Sequence, residues 1–600
     1  MTRWRQLVCL VTLGLAGDLS AQPPPNILLI VTDDQGYGDL SLHGNTAVET
    51  PHLDRLGRES MRFDNFHATS VCATTRASLL TGKNHYQVGV WGVHISRDYL
   101  HLDELTLADY LQAAGYHTGF IGKWHSGRAP AWMPWNRGFD DAWVASLYKH
   151  VDTPVSRNGK AMQLDGLADD TFTELAIDFM RENRDQPFSL MLSYMSIHTP
   201  LEAPQELVRK YKARGQSEYF AELNAMLEHL DANIGKLMGY LDRSGLRENT
   251  IVVFISDNGP VHRSRATNRK LSRDEIQLRS PQNLRGSKGH IWQNALRVPC
   301  FISWPKKIQP SQIEAFTDVT DLFPTLLQIA RVPEAEEIEG VTGRSLVPFL
   351  AGRQTRWPDN REFYRPGWQV SLNGYMRQNN VLVDKNDLLY EPQIGAWRNG
   401  PFKLVKTAKN EFFLYNLEDD PREREDILSE HPEMAKSMQK KLQDAFEQTV
   451  AYPTSFEHPR FHIGHLEYDR YERVGRNLSG SEIPFGGGVR MTGGLRADIH
   501  GSLNWKNPGD SQTVPVEVVT PGRYKVTIEA EEPVENAEFL LTVGDSEIRS
   551  PLRQIGGKWT LGEVDLEVGE HDLTLELVSN APGENRPFKE LELIVFTNQS

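Results

Sequence analysis

In the first half of the chain, apolar residues come in short unbroken runs. Asn26–Thr32 (NILLIVT), residues 188–194 (FSLMLSY), Thr250–Ser256 (TIVVFIS) and residues 299–303 are each of strand length, with no polar alternation. Such runs suit strands buried on both faces, as in a parallel sheet covered by helices. Between them the apolar period changes to three and four. Residues 105–114 stop at Gly115. Residues 219–243 carry Leu223, Met226, Leu227, Leu230, Ile234, Leu237 and Leu241 on one face before Gly245. Strand alternating with helix predicts an α/β fold with a large, mostly parallel central sheet between helices.

From about residue 396 the pattern changes. Residues 397–405 and 411–417 read as short antiparallel strands and residues 432–450 as a closing helix, a small α+β subdomain. Residues 452–488, rich in aromatics, His, Pro and Gly, read as a linker draped over the surface. From Val514 the period is two: Tyr524, Val526, Ile528 and Ala530 alternate with polar neighbours, as do Leu573, Leu575 and Leu577. That predicts an appended all-β sandwich. The expected division is a signal peptide at 1–21, a catalytic domain at 22–385, the small subdomain at 386–451, the linker at 452–488 and a β-sandwich accessory domain at 489–600. Trp505 and Trp559 in the sandwich either pack in its core or stack on a sugar ring. As a separable module the sandwich would bind glycan, and deletion beyond about residue 480 would spare turnover of a small ester.

Composition narrows the class. The chain has 600 residues and a formal net charge of −15. An acidic surface excludes a protein whose main task is to neutralise nucleic-acid phosphates, but not an anion held in a locally basic pocket. Arg3 and Arg5, an apolar stretch at 7–16 and Leu19-Ser20-Ala21 read as an export signal, too short to span a bilayer. No later stretch is long and apolar enough for a membrane span. The expectation is an exported protein, periplasmic or secreted, without membrane insertion. Beyond the signal only Cys72 and Cys300 remain, too few for a disulfide framework. Cys300 reads as a small buried hydrophobe. No phosphate-binding glycine loop occurs.

The chemistry concentrates in three places. Asp33-Asp34 and Asp257-Asn258 each follow an apolar strand. Adjacent carboxylates repel unless a cation lies between them, and four hard oxygen donors suit Ca²⁺ or Mg²⁺. A single such pair would read as a helix or turn cap. Cys72 opens a helix that also carries Arg76, where the helix dipole lowers a thiol's pKa. Gly122-Lys123-Trp124-His125, His198, Lys288 and Arg297 add positive charge and proton-transfer groups. A divalent cation, Arg76, two lysines and two histidines together suit a tetrahedral oxyanion.

With these residues in hand, the chain resembles the sulfatase family of the alkaline phosphatase superfamily. The resemblance runs collinearly through NILLIVTDDQGYGD, TPHLDRLGRES, CATTRASLLTGK, LADYLQAAGYHTGFIGKWH, ENTIVVFISDNG, RGSKGHIWQNALRVP and DLFPTLLQIARVP, with a further stretch at LYNLEDD. It implies an alkaline-phosphatase-like fold and an arylsulfatase-like, formylglycine-dependent sulfuric ester hydrolase. A maturing enzyme oxidises the motif cysteine, here Cys72, to formylglycine. One hydroxyl of the hydrated aldehyde attacks sulfur, and the second drives loss of sulfate. Asp33, Asp34, Asp257 and Asn258 would hold Ca²⁺, which also meets Cys72. Arg76 and Lys123 would stabilise the hydrate and sulfate, His125 would be the base for elimination, and His198, the candidate general acid, and Lys288 would face the leaving oxygen. Trp124 and Arg297 are expected to be structural.

The chain departs from the family pattern at Thr74, where Pro or Ala is usual, at Gln293-Asn294-Ala295 and at Ile197 before His198. Thr74 bears on maturation because Pro favours the extended form that the maturing enzyme binds. The substrate expected is a sulfated saccharide. The arginine-rich stretch 261–284 (Arg263, Arg265, Arg269, Arg273, Arg279) is a candidate polyanion contact or an ordinary solvated loop, and Asp140, Asp141, His94 and Arg97 are candidate sugar contacts. Two alternatives stay open: a phosphomonoester or phosphonate hydrolase of the same superfamily, and an unmatured, non-catalytic binder of sulfated glycans.

Overall fold

The computed structural model describes residues 24–93, 97–264, 267–333, 337–367, 388–485, 490–492, 495–497 and 501–599. The expected signal segment, His94 and Arg265 lie outside the described residues. In chain order the strands of the α/β part are β1 (Asn26–Thr32), β2 (Met61–Phe63), β3 (Phe66–His67), β4 (His117–Gly122), β5 (Asp141–Ala145), β6 (Pro154–Arg157), β7 (Lys160–Gln163), β8 (Phe188–Ser193), β9 (Thr250–Ser256), β10 (Cys300–Ser303), β11 (Ser311–Ile313) and β12 (Thr317–Asp318). Ten form one sheet in the order β11-β2-β10-β9-β1-β8-β4-β5-β6-β7, and β3 pairs with β12.

The centre of the sheet is parallel: β9, β1, β8, β4 and β5 run the same way. Its flanks are mixed. The run at 299–303, which reads like the parallel strands, enters as β10 antiparallel to β9, with Cys300 opposite Ile255. The chain between β9 and β10 stays at one end of the sheet, so it re-enters in the opposite direction. Alternate residues of β1 feed two cores. Ile27, Leu29 and Val31 face the helices Cys72–Thr81, Leu107–Ala113 and Leu322–Ile329. Leu28 and Ile30 face Ala168–Glu182 and the long helix Glu218–Ser244, through Phe172, Phe179, Leu230, Ile234 and Leu237. Each fully buried Leu or Ile contributes ~1.5–3 kcal/mol, which explains the unbroken apolar runs.

A second sheet is antiparallel, in the order β13 (Glu362–Pro366), β14 (Gly395–Asn399), β15 (Phe402–Lys406) and β16 (Phe412–Asn416). Residues 397–405 are therefore not one strand: the chain reverses at Gly400, which has φ +56°. β13 also lies upstream of residue 386, so the small sheet recruits chain that reads as catalytic domain. The helix Pro432–Ala451 covers the sheet through Ala435, Met438 and Leu442 on Leu404 and Leu414.

The C-terminal strands form two sheets around one core. Trp505 is wholly buried there, its Nε1 donating to Ser502 Oγ at 2.9 Å, and Trp559 packs partly against the same core. Residues 452–488 are not a draped linker. Phe461–Ile463 adds a parallel strand beside Ser511–Val518, and Glu482–Pro484 pairs with Glu590–Asn598. Their apolar side chains Phe461, Ile463, Ile483 and Phe485 fill the sandwich core, and Tyr99, Ala129, Ala131 and Trp132 of the α/β part join it. The sandwich shares its core with the α/β part and is not a tethered module. Among the described residues no helix is long and apolar enough to cross a membrane.

Candidate active site

The carboxyl ends of β1 and β9 are adjacent, because Thr32 pairs with Ser256. The next residues of both strands, Asp33-Asp34 and Asp257-Asn258, therefore emerge side by side, where open α/β sheets place their sites. Asp34 has φ +61°, which lets both carboxylates turn inward at consecutive positions. All four side chains are buried. The chain after β9 joins the group by a hydrogen bond from Asp34 N to Asp257 Oδ1 at 3.3 Å.

Each carboxylate of the first pair divides its oxygens. Lys123 Nζ donates to Asp33 Oδ2 at 2.5 Å, and Lys288 Nζ to Asp34 Oδ1 at 2.5 Å. Asn258 Nδ2 also donates to Asp34 Oδ1, at 2.7 Å. The remaining oxygens, Asp33 Oδ1, Asp34 Oδ2 and Asn258 Oδ1, are buried without a hydrogen-bond partner. Unpartnered buried oxygens are costly, and here they are hard donors. Among the described residues two overlapping sets bring ligand atoms within 4.8 Å of one another: Asp33, Asp34 and His198, and Asp33, Cys72 and Asp257. The donor set fits a divalent cation.

Cys72 opens its helix at the floor of this pocket, 2% exposed. Its Sγ is 3.2 Å from His125 Nδ1. Burial alone would raise the thiol's pKa, but His125, Lys123 and Lys288 outweigh it and hold it at about 5. Burial would likewise raise Asp33, but Lys123, His198, Lys288 and Arg76 keep it well below the usual carboxylate range. Burial and the charge of Asp33 push Asp257 up to about 7. Arg76 is fully engaged: Nη2 and Nε donate to Asp257 Oδ2 at 2.9 and 3.2 Å, and Nη1 to Lys123 O at 2.7 Å and Ser193 Oγ at 2.5 Å. Three carboxylates face three cationic side chains, so a divalent cation would leave the pocket positive overall.

Two histidines complete the site. His125 Nε2 lies 3.4 Å from Asp98 Oδ2. His198 Nδ1 meets Thr199 O at 2.5 Å and its Nε2 faces Asp34 Oδ2 at 3.8 Å. A carbonyl can only accept, so Nδ1 carries the proton. Burial and Lys288 hold the His198 pKa down to about 4.

All ten residues expected at the site converge on it. Others do not. Arg297 lies over the Tyr37 ring at 4.1 Å and donates to Asp64 O, and Trp124 Nε1 donates to Trp132 O at 2.9 Å, so both are structural. Asp140 binds Thr118 and Gln112, Asp141 pairs with Arg157, and Arg97 lies over Trp91, so these candidate sugar contacts serve the scaffold. In the arginine-rich stretch, Arg263 bonds Asn268 and Arg269 pairs with Glu222. Arg279 is buried and clamps Asp39 with two hydrogen bonds while donating to Asp34 O at 3.3 Å, behind the carboxylate cluster. Cys300 is buried, as expected.

Three site residues carry no sequence signal. Asp98 sits in a loop distant in sequence from His125, and Ser193 is the last residue of an apolar strand. Tyr148 stacks on His198 with ring centroids 4.6 Å apart, and Lys123 Nζ lies 5.7 Å from its ring. Its φ of +67° is costly for a bulky residue, and such outliers cluster at functional sites.

Comparison with known proteins agrees with this geometry. The family model described as Sulfatase matches residues 25–332. Human arylsulfatase A is 32% identical over 459 residues, covering 69% of this chain and 86% of that protein. The N-acetylgalactosamine-6-O-sulfatase of Bacteroides thetaiotaomicron is 27% identical over 497 residues, 70% of this chain and 92% of that one. The crystal structure of Ps i-CgsB in complex with k-i-k-neocarrahexaose superposes with a TM-score of 0.61 at 23% identity, over 72% of this chain and 94% of that one. With this fold, the residues matched by the Sulfatase model and the identity to arylsulfatase A, the chain belongs to the sulfatase family and is a sulfuric ester hydrolase.

Proposed function

We propose that this protein is an exported sulfatase that cleaves sulfate esters of a saccharide, using formylglycine made from Cys72 by a maturing enzyme and Ca²⁺, or Mg²⁺, held by Asp33, Asp34, Asp257 and Asn258. One observation carries the proposal: three unpartnered buried oxygens surround a pocket that also contains the Cys72 side chain. A saccharide substrate is supported by the relative named for N-acetylgalactosamine 6-O-sulfate cleavage and by the neocarrahexaose bound to a protein of the same fold. Export rests on the basic and apolar pattern of residues 1–21.

The bound cation would supply Lewis-acid polarisation of a sulfate oxygen. The matured Cys72 side chain would supply a hydrated aldehyde as nucleophile. The chain's own residues do the rest. Arg76 fixes Asp257 and the Lys123 backbone and does not reach outward. Lys123 and Lys288 hold one oxygen each of Asp33 and Asp34, which leaves the other oxygens for the cation, and their charge attracts the ester anion. His125 Nδ1, 3.2 Å from the reacting side chain, takes a proton from it, with Nε2 oriented towards Asp98. Because His198 Nδ1–H is committed to Thr199 O, His198 serves as acid only with Nε2 protonated as well, a form that burial and Lys288 confine to acid pH. Tyr148 holds that ring by stacking.

The test is turnover of 4-nitrophenyl sulfate and 4-nitrophenyl phosphate by protein made with the maturing enzyme, before and after EDTA. The proposal expects sulfate turnover that EDTA abolishes and Ca²⁺ restores, and that vanishes in Cys72→Ala. Faster phosphate turnover, or sulfate turnover unaffected by Cys72→Ala, would overturn it.

A further inference from the structure

The last arginine of the arginine-rich stretch turns inward. Arg279 ends the short helix Arg273–Arg279. That helix is fixed where it begins: Glu275 N donates to Ser272 Oγ at 3.2 Å, and Ser217 N to Glu275 Oε1 at 3.1 Å. Leu271 and Ile276 pack with Tyr219, Phe220 and Leu223 of the long helix. The chain at Arg279 then passes close beneath the turn that carries the first carboxylate pair. A Cβ built on Gly38 would lie 2.6 Å from Arg279 O, so only glycine allows that approach.

The guanidinium grips the turn at two points. Its Nε and Nη2 donate to Asp39 Oδ1 and Oδ2 at 2.7 and 2.9 Å, and Nη2 also donates to Asp34 O at 3.3 Å. Asp39 Oδ2 in turn accepts from Gly36 N at 2.7 Å. Asp34, Gly36, Asp39 and Arg279 are thus joined in one ring of hydrogen bonds under the turn. The turn needs such support. Asp34 has φ +61°, a left-handed conformation that a residue with a Cβ adopts only when its surroundings impose it. That conformation presents the buried, unpartnered Asp34 Oδ2 to the pocket. Arg279 and Asp39 cancel each other's charge, so the pair supplies shape and almost no field.

We propose that Arg279 is a positioning residue for the divalent cation: through Asp39 and Asp34 O it holds the left-handed turn that aims Asp34 at the pocket, and so sets cation affinity from outside the ligand set. The proposal rests on the cation reading of the pocket for its ligand, but not for the clamp itself. Because linkage is reciprocal, the bound cation also steadies the helix Arg273–Arg279.

The test uses the full chain made without the maturing enzyme, so that every variant carries the same Cys72 side chain. EDTA-stripped protein is titrated calorimetrically with Ca²⁺, and amide hydrogen exchange of residues 34–39 is followed without any cation. The control is Arg361→Met, which removes an equally buried arginine that clamps Asp321 with two hydrogen bonds. Arg279→Met is expected to weaken Ca²⁺ binding at least tenfold and to speed exchange at residues 34–39. Arg279→Lys, which keeps the charge but not the fork, should recover part of both and serves if the methionine variant does not fold. Arg361→Met should lower the melting temperature and leave both readings within about twofold. The sign is diagnostic: loss of a positive charge acting only through its field would strengthen Ca²⁺ binding. Unchanged or tighter Ca²⁺ binding by the Arg279 variants, or an equal loss in Arg361→Met, would overturn the proposal. If the parent protein takes up no Ca²⁺, the cation reading falls, and exchange still decides the clamp: rates at residues 34–39 that match those of Arg361→Met would overturn it as well.

Discussion

Lys123 Nζ lies 2.5 Å from Asp33 Oδ2, and both side chains are shut off from solvent. The lysine completes one carboxylate oxygen and leaves its twin bare. Removing one partner of a buried ion pair costs about 3–5 kcal/mol, because the other charge stays buried. Lys123→Met should therefore lower the melting temperature in EDTA, and added Ca²⁺ should recover part of the loss by neutralising Asp33 from its other side. It should also lower kcat by about 10²–10³, as for loss of a charge-stabilising donor. Paired melting curves with and without Ca²⁺ check the first, and 4-nitrophenyl sulfate turnover the second.

Thr74 occupies the third position of the Cys72–Thr81 helix. Its Oγ1 donates to Val71 O at 2.8 Å and it also contacts Thr69 Oγ1. The first backbone donor of the helix is Thr75 N, on Val71 O, so proline at 74 removes no ladder bond. Thr74→Pro is expected to cost about 1 kcal/mol through the lost side-chain bonds. In the same protein a larger fraction of Cys72 should be converted. The mass of the tryptic peptide spanning residues 63–76 reports conversion directly; an equal fraction in both proteins would show that Thr74 is no obstacle.

Three buried histidines set an acid limit. Burial pushes His43 and His150 down to about 4 and His85 to about 3. An unfolded histidine titrates near 6.5, so between there and about 4 the unfolded chain binds protons that the folded one refuses. Their contribution to stability is full above about pH 6.5 and is lost as the pH falls towards 4. The melting temperature should therefore drop between pH 7 and pH 5. His85→Gln, which keeps a donor for Val90 O, should flatten that drop.

Removal of residues beyond 451 should harm the α/β part as well as glycan binding. Tyr99 packs edge-to-face on Trp132 and on Phe461, at 5.0 and 5.4 Å, and Trp132 lies tilted against Phe461 at 5.6 Å. Truncation exposes that cluster and removes the turn at residues 474–477 that packs on Ser146. The truncated protein is expected to be poorly soluble or to melt well below the full chain, with reduced turnover even of a small aryl sulfate. Unchanged melting and turnover would show that the α/β part stands alone.

The legible parts of the molecule were those written locally. NILLIVT followed by Asp33-Asp34, and TIVVFIS followed by Asp257-Asn258, state a buried strand and its polar exit in nine consecutive residues each. The helix opened by Cys72 is equally local. Contacts between distant loops were not legible. Nothing in the residues around Asp98 names His125, and nothing near Tyr148 announces a positive φ or a histidine beneath its ring. The segment at 452–488 misleads because its strands are three residues long and its apolar positions are scattered among turn residues, so no period develops. The arginines of 261–284 mislead for another reason: a charge count does not reveal that Arg269 and Arg279 already have carboxylate partners.

One further consequence follows from Glu472. The outermost strand of the large sheet, β7, would otherwise offer its free backbone groups to any passing chain, the usual start of edge-to-edge aggregation. Glu472 meets that edge twice, its N–H donating to Gly159 O at 2.7 Å and its carboxylate accepting from Ala161 N at 2.8 Å. The segment around Glu472 thereby covers part of that edge of the sheet, so a protein crowded among copies of itself is spared one route to polymerisation.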